Sequence, residues 1–257
     1  MNLRLTFLVL HVGQMCNLRC KNCSNFVPYA PPESRRYPVE QIISDMEALF
    51  KVVKRIDLLQ VQGGEPLIYS DLPKLLGYLA ACREIGEISI ATNGMRLPDD
   101  EVWRLCKLHN IKIRVSDYPQ NRKNLQAFAQ KAADFGCHET LYLYDFVDGQ
   151  SLWNDLGTPN EISREDDDAV VAERFDKCKH NRCLTLADGE IHRCGRGVNA
   201  HKVLGFEQTF DDFVQVRNNP RLKYDLVMYL VKPTFETACR YCNGTFGVRQ
   251  IPPAEQL

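Results

Sequence analysis

A chain of 257 residues, 44% hydrophobic and 25% charged, is long enough for one sizeable core, alone or with an appendage. Its 32 basic and 33 acidic residues leave a net charge of −1, which removes any electrostatic reason to expect nucleic acid or an anionic membrane surface as partner. Polar residues interrupt every apolar run before it could form a membrane helix, and no signal peptide with a small-residue cleavage site is visible, so a cytoplasmic protein is expected.

Taken in chain order, β-branched runs predict strands over Leu5–Val12, Ile56–Gln62, Glu87–Thr92, Lys112–Ser116 and Thr140–Tyr144. Between them Pro38–Val53, Asp71–Glu84, Pro98–His109 and Asn121–Phe135 carry apolar residues at helical spacing. Pro38 and Pro98 suit first-turn positions, and Ser70 or Asp71 suits a cap. A repeated β–α order implies a parallel sheet with right-handed crossovers. The units are too few to close an eight-stranded barrel. The expected fold class is therefore α/β, a partial (β/α)6 barrel of the TIM type.

Past residue 147 the composition turns polar and acidic, with Gly149, Gly157, Pro159 and the run Glu165 to Asp168. This reads as a linker entering a helix over Ser163–Phe175, with the acidic run as its solvated start. Cys183 to Cys194 reads as a β-hairpin turning on Asp188-Gly189, which sets Cys183 opposite Cys194. Helical pieces follow near Phe210–Val216 and Pro220–Leu230, then Cys239-x-x-Cys242. The expected division is a core over 1–147, a linker and helix over 148–177, and a small hairpin-plus-helix domain over 178–257.

Eleven cysteines need a reason in a compartment that keeps thiols reduced. Three fall between Cys16 and Cys23 and five between Cys178 and Cys242, so two metal sites are expected. Cys82, Cys106 and Cys137 lie singly on or beside predicted helices, where cysteine is usually a small buried hydrophobe. The segment Cys16-Asn-Leu-Arg-Cys20-Lys-Asn-Cys23 follows the first strand, on the face where parallel α/β folds build active sites. One such loop can hand three thiolates to a compact iron–sulfur cluster. A cubane has four irons, so three thiolates leave one iron open, as catalysis requires. Zinc would instead want a nearby fourth ligand.

This CxxxCxxC loop after the first strand resembles the signature of the radical S-adenosylmethionine (SAM) superfamily. Further motifs follow in the family's order. Gly63-Gly64-Glu65-Pro66, closing the second strand, is similar to the family's GGE motif, which contacts the methionyl amino group. Thr92-Asn93-Gly94, ending the third strand, resembles the segment that lines the cofactor. Ser116 and Asp117 stand where the family places polar contacts to the cofactor's carboxylate or ribose. The family usually has an aromatic residue just before the third cysteine. Here that residue is Asn22, and Phe26 is the aromatic residue near enough to take its place against adenine.

The C-terminal cysteines resemble the twitch domain, a shortened relative of the SPASM domain that houses an auxiliary 4Fe–4S cluster. Its pattern is Cys, nine to fifteen residues, then Gly-x4-Cys, then further cysteines. Cys178, Gly189 and Cys194 fit it, and Cys239 and Cys242 would complete four ligands. Cys183 is the rival of Cys178 for the first place. A zinc ribbon is the other reading of this segment.

The resemblance implies two 4Fe–4S clusters, S-adenosyl-L-methionine as cofactor, and a reductant such as flavodoxin or ferredoxin. The first cluster's open iron would chelate the cofactor, whose reductive cleavage gives a 5′-deoxyadenosyl radical. That radical would take a hydrogen atom from a small molecule such as a sugar or aminocyclitol. A fully ligated second cluster suits removal of an electron, giving oxidation by a dehydrogenase. A free Cys183 could instead return a hydrogen atom, giving an epimerase. The alternatives are peptide modification and, outside enzymes, a zinc-binding scaffold. Around the auxiliary site Arg193 and Arg196 suit either an anionic substrate or the cluster's own charge, and His192 suits a surface position. His11 reads as a hydrogen-bonded barrel residue, and Tyr142 and Tyr144 as packing on the fifth strand.

Overall fold

The computed structural model describes residues 3–137, 141–144, 152–232 and 234–257, with the backbone alone for 141–144. Four β–α units open the chain: β1 (Leu3–His11) and α1 (Val39–Phe50), β2 (Val53–Gln62) and α2 (Leu72–Ala81), β3 (Ile85–Thr92) and α3 (Asp100–His109), β4 (Lys112–Ser116) and α4 (Arg122–Asp134). Strand β5 (Leu141–Tyr144) follows, then β6 (Trp153–Asn154), α5 (Asp168–Asp176), β7 (Thr185–Ala187), β8 (Glu190–His192), α6 (Gly195–Leu204), β9 (Val214–Gln215), α7 (Leu222–Val231) and β10 (Gln250–Ile251).

Strands β1 to β5 lie parallel in consecutive order, and the α/β partial-barrel expectation holds. The sixth parallel strand is β7, which pairs with the free edge of β1 through Val9 with Thr185 and Leu10 with Leu186. The hairpin β7–β8 then adds β9 in antiparallel fashion, so one eight-stranded sheet runs from β5 to β9. The expected domain boundary at 147/148 lies outside the described residues, as do the side chains of Tyr142 and Tyr144. No helix among the described residues is long and apolar enough to cross a membrane.

The helices dock by one apolar stripe each. On α1, Ile42, Met46 and Leu49 recur at helical spacing and are buried, as are Leu72, Leu75, Leu76 and Leu79 on α2. They meet Ile56, Leu59 and Val61 of β2, and each fully buried aliphatic side chain contributes roughly 1.5–3 kcal/mol. Trp103 of α3 stacks on Phe135 and meets Phe128 edge-on. Cys106 and Cys137 are fully buried in this layer, in the hydrophobic role expected of them, whereas Cys82 is only partly buried.

Element ends moved by a few residues, for local reasons. Pro38 and Asp99 take the N-cap positions of α1 and α3, which puts Pro98 outside its helix. Asp71 occupies the N-cap of α2 but spends its carboxylate on Arg36 instead. Helix α5 starts at Asp168 rather than Ser163, because the Asp167 side chain accepts from the Ala169 and Val170 amides. The largest correction concerns Phe210–Val216. Its apolar residues are not helical: Val214 and Gln215 form β9, pairing with Ile191 and Glu190, while Phe210 is fully exposed. Helix α6, directly after Cys194, was not foreseen; its two glycines, Gly195 and Gly197, mask its pattern.

Candidate active site

Every motif picked from the sequence core falls at the C-terminal end of a parallel strand, so the fold gathers them at one end of the sheet. The loop after β1 is welded to the loop after β2. Gly64 N donates to Gly13 O at 2.9 Å and Glu65 N to Met15 O at 2.8 Å. On its other side Gln14 N and Met15 N donate to Ser34 O and Arg35 O. This close approach explains the glycines: a Cβ on Gly64 would overlap the Met15 carbonyl, and one on Gly63 the Gly13 carbonyl.

Within the loop, Cys20 is buried and Cys16 and Cys23 are partly buried. Cys23 N closes a turn on Cys20 O at 3.1 Å, and Leu18 N donates to Cys16 Sγ at 3.4 Å. Burial pushes the Cys16 thiol up to about 12 and Cys20 to about 11, and raises Cys23 as well; neighbouring thiols add to the rise at Cys16 and Cys20. Three desolvated thiolates repel one another unless a cationic centre replaces their protons, so the donor set suits a metal centre. Among the described residues no three His, Cys, Asp or Glu side chains converge tightly enough for a single metal ion. Three soft sulfur donors on one loop suit an iron–sulfur cluster.

Glu65 stands beside this loop and is 2% exposed. Its carboxylate accepts from Leu67 N at 2.9 Å, Thr92 Oγ1 at 2.7 Å and Asn93 N at 2.7 Å. Burial nevertheless holds its pKa up to about 7, because those donors are neutral. Asn93 Nδ2 donates to Asn17 Oδ1 at 2.8 Å and reaches Cys16 Sγ at 3.6 Å, tying the turn after β3 to the cysteine loop. Ser116 ends β4, and Asp117 pairs with Arg122 at 3.8 Å.

Several residues of this site had escaped the sequence reading. Asn121, 0% exposed, donates from Nδ2 to Asn93 O and to Ser116 O, bolting two strand ends together. At sequence level it signalled only a helix start. Tyr118 packs, as do Cys16, Cys23 and Met95, against the buried cluster of Leu18, Cys20 and Ala254, and meets Trp153 edge-on at 5.5 Å. Phe26, by contrast, is turned away from this side. It is buried with Ala200 and Ala238 of the C-terminal third, under the Arg196 guanidinium, and is not free for adenine.

The chain's last residues form a strap along the cysteine loop. Arg19 N donates to Gln256 Oε1 at 2.7 Å, Lys21 N to Glu255 O at 2.7 Å, and Leu257 N to Arg19 O at 2.9 Å. Gln256 Nε2 donates to Cys20 Sγ at 3.5 Å. Removing that donor with Gln256→Ala is expected to speed chelator stripping of iron from the reconstituted protein about fivefold, as befits one hydrogen bond of about 1 kcal/mol. The visible absorbance of the cluster reports it; unchanged stripping would show that the strap is indifferent to the cluster.

The C-terminal cysteines gather incompletely. Cys194 caps α6, and Cys239 and Cys242 lie in and after the short turn Thr237–Tyr241. Burial raises Cys194 and Cys239, with Glu236 and neighbouring thiols adding to it. Arg174 Nη1 braces the turn by donating to Cys239 O at 3.1 Å and Cys242 O at 2.7 Å. The hairpin register is as counted, Thr185 opposite His192, but the ladder stops there. Cys183 N turns back onto His180 O, so Cys183 stands beside Cys178 and not across from Cys194. Cys178 lies on a turn whose Lys179 N donates to Thr245 Oγ1 at 2.8 Å, three residues past Cys242.

His192 is not at the surface: it is buried on Phe213 with Nε2 3.2 Å from Glu190. Arg193 lies over the Tyr229 ring at 3.8 Å and donates to Tyr229 O at 2.8 Å. His11 is buried against Gln14 and held down to about 3 by burial and then by His192. A cavity of about 900 Å³ along α1, lined by Asp45, Lys51, Arg217 and Lys223 among others, contains none of the cysteines, Glu65 or Asn93.

Comparison with known proteins agrees with this geometry. Residues 10–116 match the model of the Radical SAM superfamily. A GTP 3′,8-cyclase of Clostridium botulinum is 36% identical over 125 residues, 46% of this chain and 37% of the relative. A GTP 3′,8-cyclase of Listeria monocytogenes is 34% identical over 97 residues, 35% of this chain and 27% of the relative. The chain thus spans about a third of the length of the cyclases it matches, 37% of one and 27% of the other. Among solved structures, BtrN in complex with AdoMet and 2-DOIA superposes with a TM-score of 0.57 at 17% identity, covering 100% of this chain and 98% of that one. Streptococcus suis SuiB bound to S-adenosylmethionine gives 0.50 at 16% identity, covering 94% and 70%. At such identities the likeness is one of fold.

Proposed function

Because the chain carries a radical SAM domain in residues 10–116, we propose that it is an enzyme that cleaves S-adenosylmethionine reductively and abstracts a hydrogen atom from a small-molecule substrate. The observation that carries this reading is the hydrogen-bonded union of the Cys16–Cys23 loop, Glu65 and Asn93 at one end of the sheet. When bound to Cys16, Cys20 and Cys23, a 4Fe–4S cluster supplies one electron to the sulfonium and an open iron for the methionyl group. The protein's own part is placement. Glu65 receives the methionyl ammonium, supplying the cation that its neutral donors lack, and the Thr92 and Asn93 donors hold the carboxylate still. Gly63 and Gly64, followed by Pro66, let the backbone approach closely. Ser116 and Asp117 face the carboxylate or ribose, while Tyr118 and Trp153 help exclude water from the cysteine side.

In the C-terminal third, Cys178, Cys194, Cys239 and Cys242 would hold an auxiliary 4Fe–4S cluster of the twitch type. The mutual approach of Cys194, Cys239 and Cys242 supports it, as does the docking of the Cys178 turn beside Thr245. We favour oxidation over epimerisation, since Cys183 stands beside Cys178, a ligand of the proposed auxiliary cluster. The likeness to BtrN over 100% of this chain and 98% of that one favours a small molecule over a peptide, whereas the cyclase likeness covers only 46% of this chain. A flavodoxin or ferredoxin would supply the electron.

Anaerobic reconstitution with iron and sulfide tests the proposal. About eight irons per chain and dithionite-dependent 5′-deoxyadenosine are expected, one cluster for each cysteine group. Tight zinc with no cleavage would sink it. With candidate sugars and peptides in deuterated buffer, loss of two hydrogens from the product marks oxidation, and solvent deuterium marks epimerisation.

A further inference from the structure

Arg196 follows Cys194 by two residues on α6 and is 4% exposed. A guanidinium cannot shed its charge, and burying one without a counter-ion costs several kcal/mol. Its partners do not supply that counter-ion. Nη2 donates to two neutral carbonyls, Gly157 O at 2.9 Å and Tyr241 O at 3.1 Å, and the group lies over the Phe26 ring at 3.9 Å. Nε and Nη1 are buried with no hydrogen-bond partner among the described residues. No carboxylate pairs with it among them either, whereas Arg240 pairs with Asp168.

The groups that do answer the charge are thiols, and they come from both cysteine sets. Cys194 stands two residues before it, Tyr241, whose carbonyl it holds, lies between Cys239 and Cys242, and Phe26 beneath it donates from its amide to Cys23 O at 3.0 Å. Phe26, three residues past Cys23, fixes the guanidinium from the cysteine loop after β1, while α6 fixes it from the C-terminal third of the chain. A cluster ligated by four thiolates gains one more negative charge on reduction, so a fixed buried cation favours the reduced form.

We propose that Arg196 is the shared counter-charge of the two iron–sulfur sites, a positioning residue that raises the reduction potential of the auxiliary cluster and locks it to the Cys23 corner of the first. This rests on the two-cluster reading above. The role suits electron removal from a substrate radical, since a cluster held at higher potential accepts that electron more readily.

The test is a potential, not a turnover. In the Cys16→Ala/Cys20→Ala/Cys23→Ala background, which leaves only the C-terminal cluster, Arg196→Gln keeps a neutral donor for Gly157 O and Tyr241 O but removes the charge. Its reduced fraction at a fixed potential is expected to fall about tenfold, a drop of about 59 mV for a one-electron couple, in an EPR-monitored titration. Arg196→Lys keeps the charge and is expected to recover most of the shift. If Arg196→Gln loses its cluster while Arg196→Lys retains it, the requirement for charge stands at the level of assembly. A cluster that is present with an unmoved potential overturns the proposal alone, as do equal shifts or equal cluster loss in both variants. Absence of iron in the background itself overturns the two-cluster reading and this proposal with it.

Discussion

Cys16→Ala is expected to abolish 5′-deoxyadenosine formation, to background, while about four irons per chain and a cluster EPR signal remain. Cys16 is the natural choice among the three cysteines. Its sulfur accepts from Leu18 N and lies 3.6 Å from Asn93 Nδ2, so it joins the cysteine loop to the cofactor-facing turn. Removing it leaves two thiolates, too few for a cluster whose one open iron must bind the cofactor. The complementary double variant Cys239→Ala/Cys242→Ala is expected to keep reductive cleavage and to stop conversion of the substrate, with iron falling by half. Irons lost together in either variant would mean that the two cysteine groups form one site. The measurement is iron content with quantified 5′-deoxyadenosine under dithionite.

Binding of S-adenosylmethionine to the reconstituted protein is expected to weaken about tenfold per pH unit below about 7 and to be flat above it. The cause is Glu65, whose burial favours the protonated carboxyl, while an ammonium needs the carboxylate. In the empty protein the same group gives a stability slope of defined sign. The fold holds this proton more tightly than the unfolded chain does. Stability therefore falls by about 3 kcal/mol as pH climbs from the ordinary value of 4.5 to about 7, and levels off outside that window. Glu65→Gln removes both effects. Its affinity is pH-independent and, at pH 8, weaker by more than about a hundredfold, the scale of breaking a buried charge pair. Calorimetric titration and melting curves between pH 5 and 8 decide it; a Glu65→Gln protein that keeps the slope would place the titrating group elsewhere.

Local signals carried the first half of the fold because its units are self-contained. Ile42, Met46 and Leu49 announce one helix face, Leu72 to Leu79 another, and β-branched runs separate them. The strand-end motifs were equally legible, since Gly63, Gly64 and Gly94 are demanded by backbone that no other residue suits there. The C-terminal third was harder. Val214 and Gln215 are a strand only because Ile191 and Glu190 offer an edge, and α6 hides behind Gly195 and Gly197.

Residue types and spacing alone thus settled the α/β class, the parallel order of β1 to β5 and the three-thiol loop, because each depends on neighbours within a turn or a motif. Tertiary structure decided which distant groups share a space. It laid β7 against the edge of β1, drew Gln256 onto Cys20, turned Phe26 from the cofactor side to Arg196, and set Cys183 beside Cys178. The first three join groups from distant parts of the chain, through backbone pairing and the burial of charge, and no local pattern encodes such pairings.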